Sequence, residues 1–153
     1  MNRVVAALAV LMALLFASTS FEEPEFLLLH TYEASVYIVL VAFLYFGREE
    51  WAYPLGMILP AAWIVLNYAT GRISFGARQV GMLVGRHEVT NVTGLLALGI
   101  TIAGLAMIVV NAYYYHKEIH GSPSAGPHNF GLAAIIAVAY YAVLVLWFTA
   151  AVS

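Results

Sequence analysis

Residues 92–120, VTGLLALGITIAGLAMIVVNAYYYHKEIH, decide the fold. Residues 92–112 carry no charge and outnumber the ~20 apolar residues that a helix needs to cross a ~30 Å hydrocarbon core. We therefore expect a membrane-spanning helix here. Its small and polar residues recur every three or four positions, so they share one helix face, which we expect to contact protein and not lipid. That face contains Gly94, Ala97, Thr101, Gly104, Asn111 and Tyr115, and we predict that Gly94 and Gly104 serve helix packing.

The composition of the whole chain supports the same conclusion. With 63% hydrophobic and only 9% charged residues, it lies far from the composition of a soluble domain. The length of 153 residues suits a single membrane-embedded helical domain over 1–153. We therefore predict an all-α fold, a polytopic transmembrane helical bundle.

Charge and cysteine usage exclude several function classes. The formal net charge of −2 is too balanced for a nucleic-acid interface, so no nucleic-acid partner is expected. The chain has no cysteine, which excludes disulfides, thiolate metal sites and Cys-ligated iron–sulfur clusters within it.

Five spans are predicted, near 4–20, 26–46, 54–70, 92–116 and 130–152. The first follows Arg3 and ends in three small residues, so the alternative is a cleaved signal peptide, which would leave four spans. The positive-inside rule keeps Arg3, and thus the N-terminus, in the cytoplasm. The six basic residues, Arg3 included, divide evenly between the two sides, so this orientation depends on the first helix alone. The hydrophilic stretch 47–53 is predicted to be a turn.

Polar residues inside the predicted spans are candidates for function. His30, Glu33 and Tyr37 share one face of the second span, and Glu33 would lie about 10 Å deep at ~1.5 Å per residue. An ionisable side chain is costly at that depth and by default suggests function. The alternative is a helix that starts near residue 31, with Glu33 at headgroup level and favoured by the helix dipole. The other intramembrane polar residues are Asn67, Thr101 and Asn111.

The longest polar connection, 71–91, contains three arginines and four glycines. It is too polar to be a span, and its mixed pattern fits an interfacial segment or a loop folded over the bundle. It does not fit a phosphate-binding loop, because no lysine follows its glycines and no strand precedes them.

The five histidines form two groups in this topology: His30 and His87 on the outer side, and His116, His120 and His128 on the inner side. His116 and His128 are the candidate axial ligands of a haem b, because His116 lies at the end of the fourth span and His128 lies just before the fifth. All three inner histidines are candidate metal ligands, since residues four apart face the same way on a helix. The alternative is that they are interfacial, solvated residues.

Three function classes remain, because no nucleophile elbow, Walker loop or Rossmann fingerprint is present. The preferred one is an accessory or cofactor-holding component of a larger membrane complex, such as a redox complex. The alternatives are a small homo-oligomeric channel or transporter and a membrane-embedded enzyme. The expected partners are the lipid bilayer and other membrane-protein subunits or copies of the chain itself.

Overall fold

The computed structural model describes residues 2–85, 87–119 and 127–152. Over these residues the chain is helical and contains no strand, which confirms the predicted all-α bundle. The α-helices are α1 (Arg3–Glu22), α2 (Leu27–Tyr45), α3 (Glu49–Ala69), α4 (Arg72–Val84), α5 (Val92–Tyr114) and α6 (Pro127–Val152). A single 3₁₀ turn, Pro24–Phe26, joins α1 to α2, and a π-helical turn, Tyr115–Ile119, extends α5.

Five helical segments of the described chain are long and apolar enough to cross a membrane. They are Arg3–Glu22, Pro24–Tyr45, Glu49–Ala69, Val92–Ile119 and His128–Trp147. This finding is compatible with an integral membrane protein. Helix α4 has only 13 residues and is not among them.

The helix ends follow from local sequence. Asn2 caps α1 by accepting hydrogen bonds from the backbone N–H groups of Val4 and Val5, and Asn91 caps α5 by accepting one from Gly94. Gly47 and Gly71 follow the ends of α2 and α3 with φ of 68° and 75°, a left-handed conformation that glycine adopts without steric cost. These glycines allow the chain to reverse within a few residues.

Two predicted connections contain more helix than the sequence indicated. The predicted turn at 47–53 is shorter, because α3 starts at Glu49 and Pro54 lies inside the helix. Glu49 and Glu50 occupy its first turn, where negative side chains interact favourably with the helix dipole. The connection 71–91 contains α4, which packs against the beginning of α5.

The core of the bundle is formed by residues of α1, α2, α3, α5 and α6, and α1 packs against α2 and α5. The Phe16 ring stacks on Tyr37 of α2 at 5.6 Å between centroids and meets Trp63 of α3 edge-on at 5.7 Å. Aromatic pairs in these geometries contribute beyond their buried area. Helix α6 packs mainly on α3, where the Tyr141 hydroxyl donates to the Leu59 carbonyl oxygen at 2.7 Å.

Glycines lie where helices approach one another closely. A Cβ built on Gly104 of α5 would lie 3.3 Å from the Cβ of Pro60 in α3. A Cβ on Gly94 would lie 3.2 Å from the Phe75 ring of α4. Small residues permit this close approach of helix backbones, which strengthens van der Waals packing where lipid supplies no hydrophobic drive.

The structure predicts which connections between helices lie on the same side of the membrane. Arg72 forms an ion pair with Glu23, so the α1–α2 turn and the start of α4 lie at the same end of the bundle. We expect single cysteines at the exposed positions Glu22 and His87 to react with an impermeant maleimide from the same side of a sealed vesicle. A cysteine at Arg48, in the α2–α3 turn, should react from the opposite side. The chain has no native cysteine, so only the introduced cysteine of each variant is labelled. Labelling of the cysteines at positions 22 and 87 from different sides would refute this topology.

Candidate functional site

Five side chains join in a hydrogen-bonded chain near one end of the bundle. Trp63 donates through Nε1 to Glu33 Oε1 at 3.3 Å, and Glu33 Oε2 lies 2.8 Å from His30 Nδ1. His30 Nε2 lies 3.0 Å from Glu23 Oε2. Arg72 Nη2 donates to the two oxygens of Glu23 at 2.8 and 2.7 Å. We call Glu23, His30, Glu33 and Arg72 the charged network.

The local sequence explains how these groups converge. His30 and Glu33 are three residues apart on α2 and therefore share a face. Glu23 directly follows α1, where Pro24 starts the short turn that leads into α2. Arg72 is the first residue of α4, and the left-handed Gly71 turns the chain so that it meets Glu23.

The network extends from the partly exposed surface into the protein. The side chains of Arg72 and Glu23 are 38% and 22% exposed, whereas those of Glu33 and His30 are 9% and 3% exposed. Glu33 lies in the second turn of α2 and is buried against protein, so it is not an exposed residue at a helix start. Buried charges in proteins are normally paired, and this network pairs each of its charges.

Proton counting gives the net charge of the network for the smallest number of protons that satisfies both contacts of His30. Each ring nitrogen of His30 faces a carboxylate oxygen, and a neutral imidazole can donate through only one nitrogen. Two hydrogen bonds therefore require either an imidazolium or one protonated carboxyl group. In both cases Glu23, His30 and Glu33 together carry a charge of −1, and the guanidinium of Arg72 brings the sum to zero.

The network lines one wall of a cavity of about 760 Å³. Helices α2, α3, α4 and α6 all contribute to this cavity, and Asn67 of α3 and Thr70, which follows α3, also line it. The remaining walls are largely apolar. They are formed by Phe26, Leu29, Leu66, Phe75, Leu144 and Val145.

The other predicted intramembrane polar residues turn back to their own helices. Asn67, Thr101 and Asn111 are buried, and each donates to the carbonyl oxygen four residues earlier, at 3.0, 2.8 and 2.7 Å. Such bonds use a side-chain donor within its own helix, while the buried Oδ1 of Asn111 has no hydrogen-bond partner among the described residues. These donors therefore do not connect the helices, and Asn67 is the one of the three that lines the cavity.

Of the histidines predicted to lie on the inner side, the two that the structure describes are more exposed than the charged network. His116, in the π-helical turn, and His128, near the start of α6, have exposed side chains, and His120 lies outside the described residues. Within 2–85, 87–119 and 127–152, no group of three or more His, Asp or Glu side chains could hold a metal ion. The haem b and metal sites at these histidines therefore stay predictions. Of the pair predicted to lie on the outer side, His87 is exposed, and both ring nitrogens of His30 already face carboxylates.

Sequence reasoning identified only two of the five side chains in the hydrogen-bonded chain. It selected His30 and Glu33 from their spacing but missed Glu23, Arg72 and Trp63. Glu23 offered a weak signal, since it lies two helical turns before His30. Arg72 offered none, because its position depends on how α4 folds back against the bundle.

No protein-family model, curated protein or solved structure matches the chain. The fold and the cavity therefore carry the functional argument. Together they define a helical bundle, compatible with a membrane protein, that has a charge-balanced cavity near one end.

Proposed function

We propose that this chain is an integral membrane protein that holds a small ligand in the cavity, and that it acts as a ligand- or cofactor-holding component of a larger membrane complex. The observation that carries this proposal is the charged network on the cavity wall, in which His30 and Glu33 are buried. The volume of about 760 Å³ falls within the range of roughly 300–1,000 Å³ that is typical of ligand pockets. Ionisable side chains within membrane helices suggest function by default.

The pairing within the network favours holding a ligand over transforming one. Both oxygens of Glu23 accept from Arg72, and the oxygens of Glu33 are engaged by His30 and Trp63. A general base must reach the proton that it removes, and here the basic groups are engaged with one another. The network thus supplies a fixed electrostatic surface, which suits binding and orientation.

The orientation of the site is part of the proposal. A cytoplasmic N-terminus would put the end of α1, and hence Glu23 and Arg72, on the translocated side of the membrane. The cavity would then open near that surface. Partner subunits, or further copies of the chain, would cover helix faces that the bundle leaves exposed, such as Ile135 and Val138 of α6.

Filling the cavity should remove the ligand. Leu66 lines the cavity, whereas its neighbour Val65 is 68% exposed on the outer face of α3. We expect Leu66→Trp to reduce the amount of co-purifying small molecule per protein by about tenfold or more, a loss of about 1.4 kcal/mol in binding. Val65→Trp, the matched control, should retain it.

The measurement is quantitative mass spectrometry of solvent extracts from purified wild-type protein and both variants, with extracts of protein-free lipid and detergent subtracted. The proposal is wrong if no small molecule co-purifies with wild-type protein in a fixed ratio. It is also wrong if the Leu66→Trp protein carries as much ligand as the Val65→Trp protein.

A further inference from the structure

We infer that the ligand of this cavity is an uncharged amphiphile whose head carries an oxygen hydrogen-bond acceptor, an inference that rests on the proposed function of the cavity. Three features of the cavity wall support it: the balanced charge of the network, the unequal supply of donors and acceptors, and the apolar remainder of the lining.

The first feature is the charge balance. Glu23, His30, Glu33 and Arg72 sum to zero, and each of them is paired within the network. A ligand with a formal charge would give this site a net charge, and an unpaired ion in a low-dielectric interior costs several kcal/mol even after relaxation. An uncharged head avoids this cost.

The second feature is the state of the donors and acceptors. The carboxylates of Glu23 and Glu33 already accept hydrogen bonds from Arg72, His30 and Trp63. A guanidinium has five N–H donors, and its bonds to Glu23 come from Nη2 alone. Nη1 and Nε of Arg72 take no part in the bonds to Glu23, and the Arg72 side chain lines the cavity. Within the charged network, Arg72 therefore offers donors, which an oxygen acceptor on the ligand complements.

The third feature is the apolar lining. Phe26, Leu29, Leu66 and the α6 residues Leu144 and Val145 supply hydrocarbon surface next to the polar wall. Burial of apolar surface contributes roughly 25 cal/mol per Å², so a hydrocarbon tail would provide much of the affinity. A ligand with an uncharged polar head and a hydrocarbon tail dissolves in the bilayer, so the membrane itself would be the source of the ligand.

The test compares probes that share a chain and differ in the head. Dodecanol and methyl dodecanoate are uncharged and carry an oxygen acceptor, dodecanoate is anionic, and dodecylammonium is cationic. Each is used with a brominated chain, which quenches tryptophan fluorescence over short distances and so does not require that the tryptophan line the cavity. Trp51→Phe and Trp147→Phe leave Trp63 as the reporter, and its indole donates to Glu33 of the network. Brominated dodecane, which has no head, measures quenching by partition into lipid.

We expect dodecanol and methyl dodecanoate to quench Trp63 at concentrations about tenfold lower than either charged probe, in nanodiscs of uncharged lipid. Tighter binding of dodecanoate or dodecylammonium than of dodecanol would overturn the ligand class but leave the cavity as the binding site. If none of the four probes exceeds brominated dodecane, the proposed function fails with the inference.

A second variant tests the role of the arginine. Arg72→Lys keeps the charge but removes the planar set of donors, so the affinity for dodecanol should fall by about tenfold. Arg78→Lys, an exposed position on the same helix, is the matched control and should bind dodecanol as the parent protein does. Equal affinities of the Arg72→Lys and Arg78→Lys proteins would exclude Arg72 as the donor to the ligand.

Discussion

Replacing His30 with leucine should destabilise the protein by about 3–5 kcal/mol, the typical cost of removing one partner from a buried ion pair. The imidazole lies between Glu23 and Glu33, and the His30 side chain is only 3% exposed. Leucine occupies a similar volume but donates nothing, so Glu33 would keep a buried carboxylate with Trp63 as its remaining donor. The loss should appear as a lower midpoint of thermal unfolding in detergent.

A double variant separates the charge effect from loss of packing. In His30→Leu/Glu33→Gln the buried carboxylate is neutralised, while an amide oxygen remains for the Trp63 indole. The double variant should therefore be more stable than His30→Leu alone, a coupling expected of residues in one network. His87→Leu, at an exposed histidine, should change stability by no more than about 0.5 kcal/mol. If His30→Leu behaves like His87→Leu, the network does not contribute to the folded state as argued.

Gly76→Ala should separate α4 from the beginning of α5, whereas Gly81→Ala in the same helix should be tolerated. A Cβ at Gly76 would overlap the carbonyl oxygen of Gly94 and would lie 3.3 Å from the Cβ of Leu98. A backbone atom cannot rotate away, so the helices must move apart, at a cost of about 1–3 kcal/mol or more. This exceeds the gain of roughly 0.5–1 kcal/mol from replacing a helical glycine.

Gly81 is the matched control, because nothing lies within 4 Å of a Cβ built there. Gly81→Ala should raise the unfolding midpoint slightly through helix propensity. Because α4 begins at Arg72, Gly76→Ala should also weaken retention of the cavity ligand, which the solvent-extraction assay measures. Equal stabilities of the Gly76→Ala and Gly81→Ala proteins would show that the close approach of α4 and α5 is not required.

The fold was predictable to the extent that it depends on long apolar runs. Each run is long enough to cross a bilayer, and within lipid a helix supplies all the hydrogen bonds that its backbone N–H and C=O groups need. The all-α bundle therefore follows from hydropathy. The start of α3 and the existence of α4 did not follow, because prolines and glycines obscure helical periodicity there. Tertiary contacts, such as that of Gly76 with Gly94, stabilise α4 in its position.

The site was predictable only where it is local. His30 and Glu33 share a helix face at a spacing that any α-helix imposes. Glu23, Trp63 and Arg72 come from other elements, and no periodicity relates residues across a bundle. At His116 and His128, closeness in sequence suggested convergence; both side chains are exposed, and a site there stays a prediction.

The zero net charge of the buried network has a consequence for energised membranes. A membrane voltage does work of about 2.3 kcal/mol per elementary charge for each 100 mV crossed, and this work depends on net charge. Displacing Glu23, His30, Glu33 and Arg72 together along the field therefore does no net electrical work. An uncharged ligand that enters beside them adds none, so occupancy of the cavity should be electrically silent and equal in polarised and depolarised membranes.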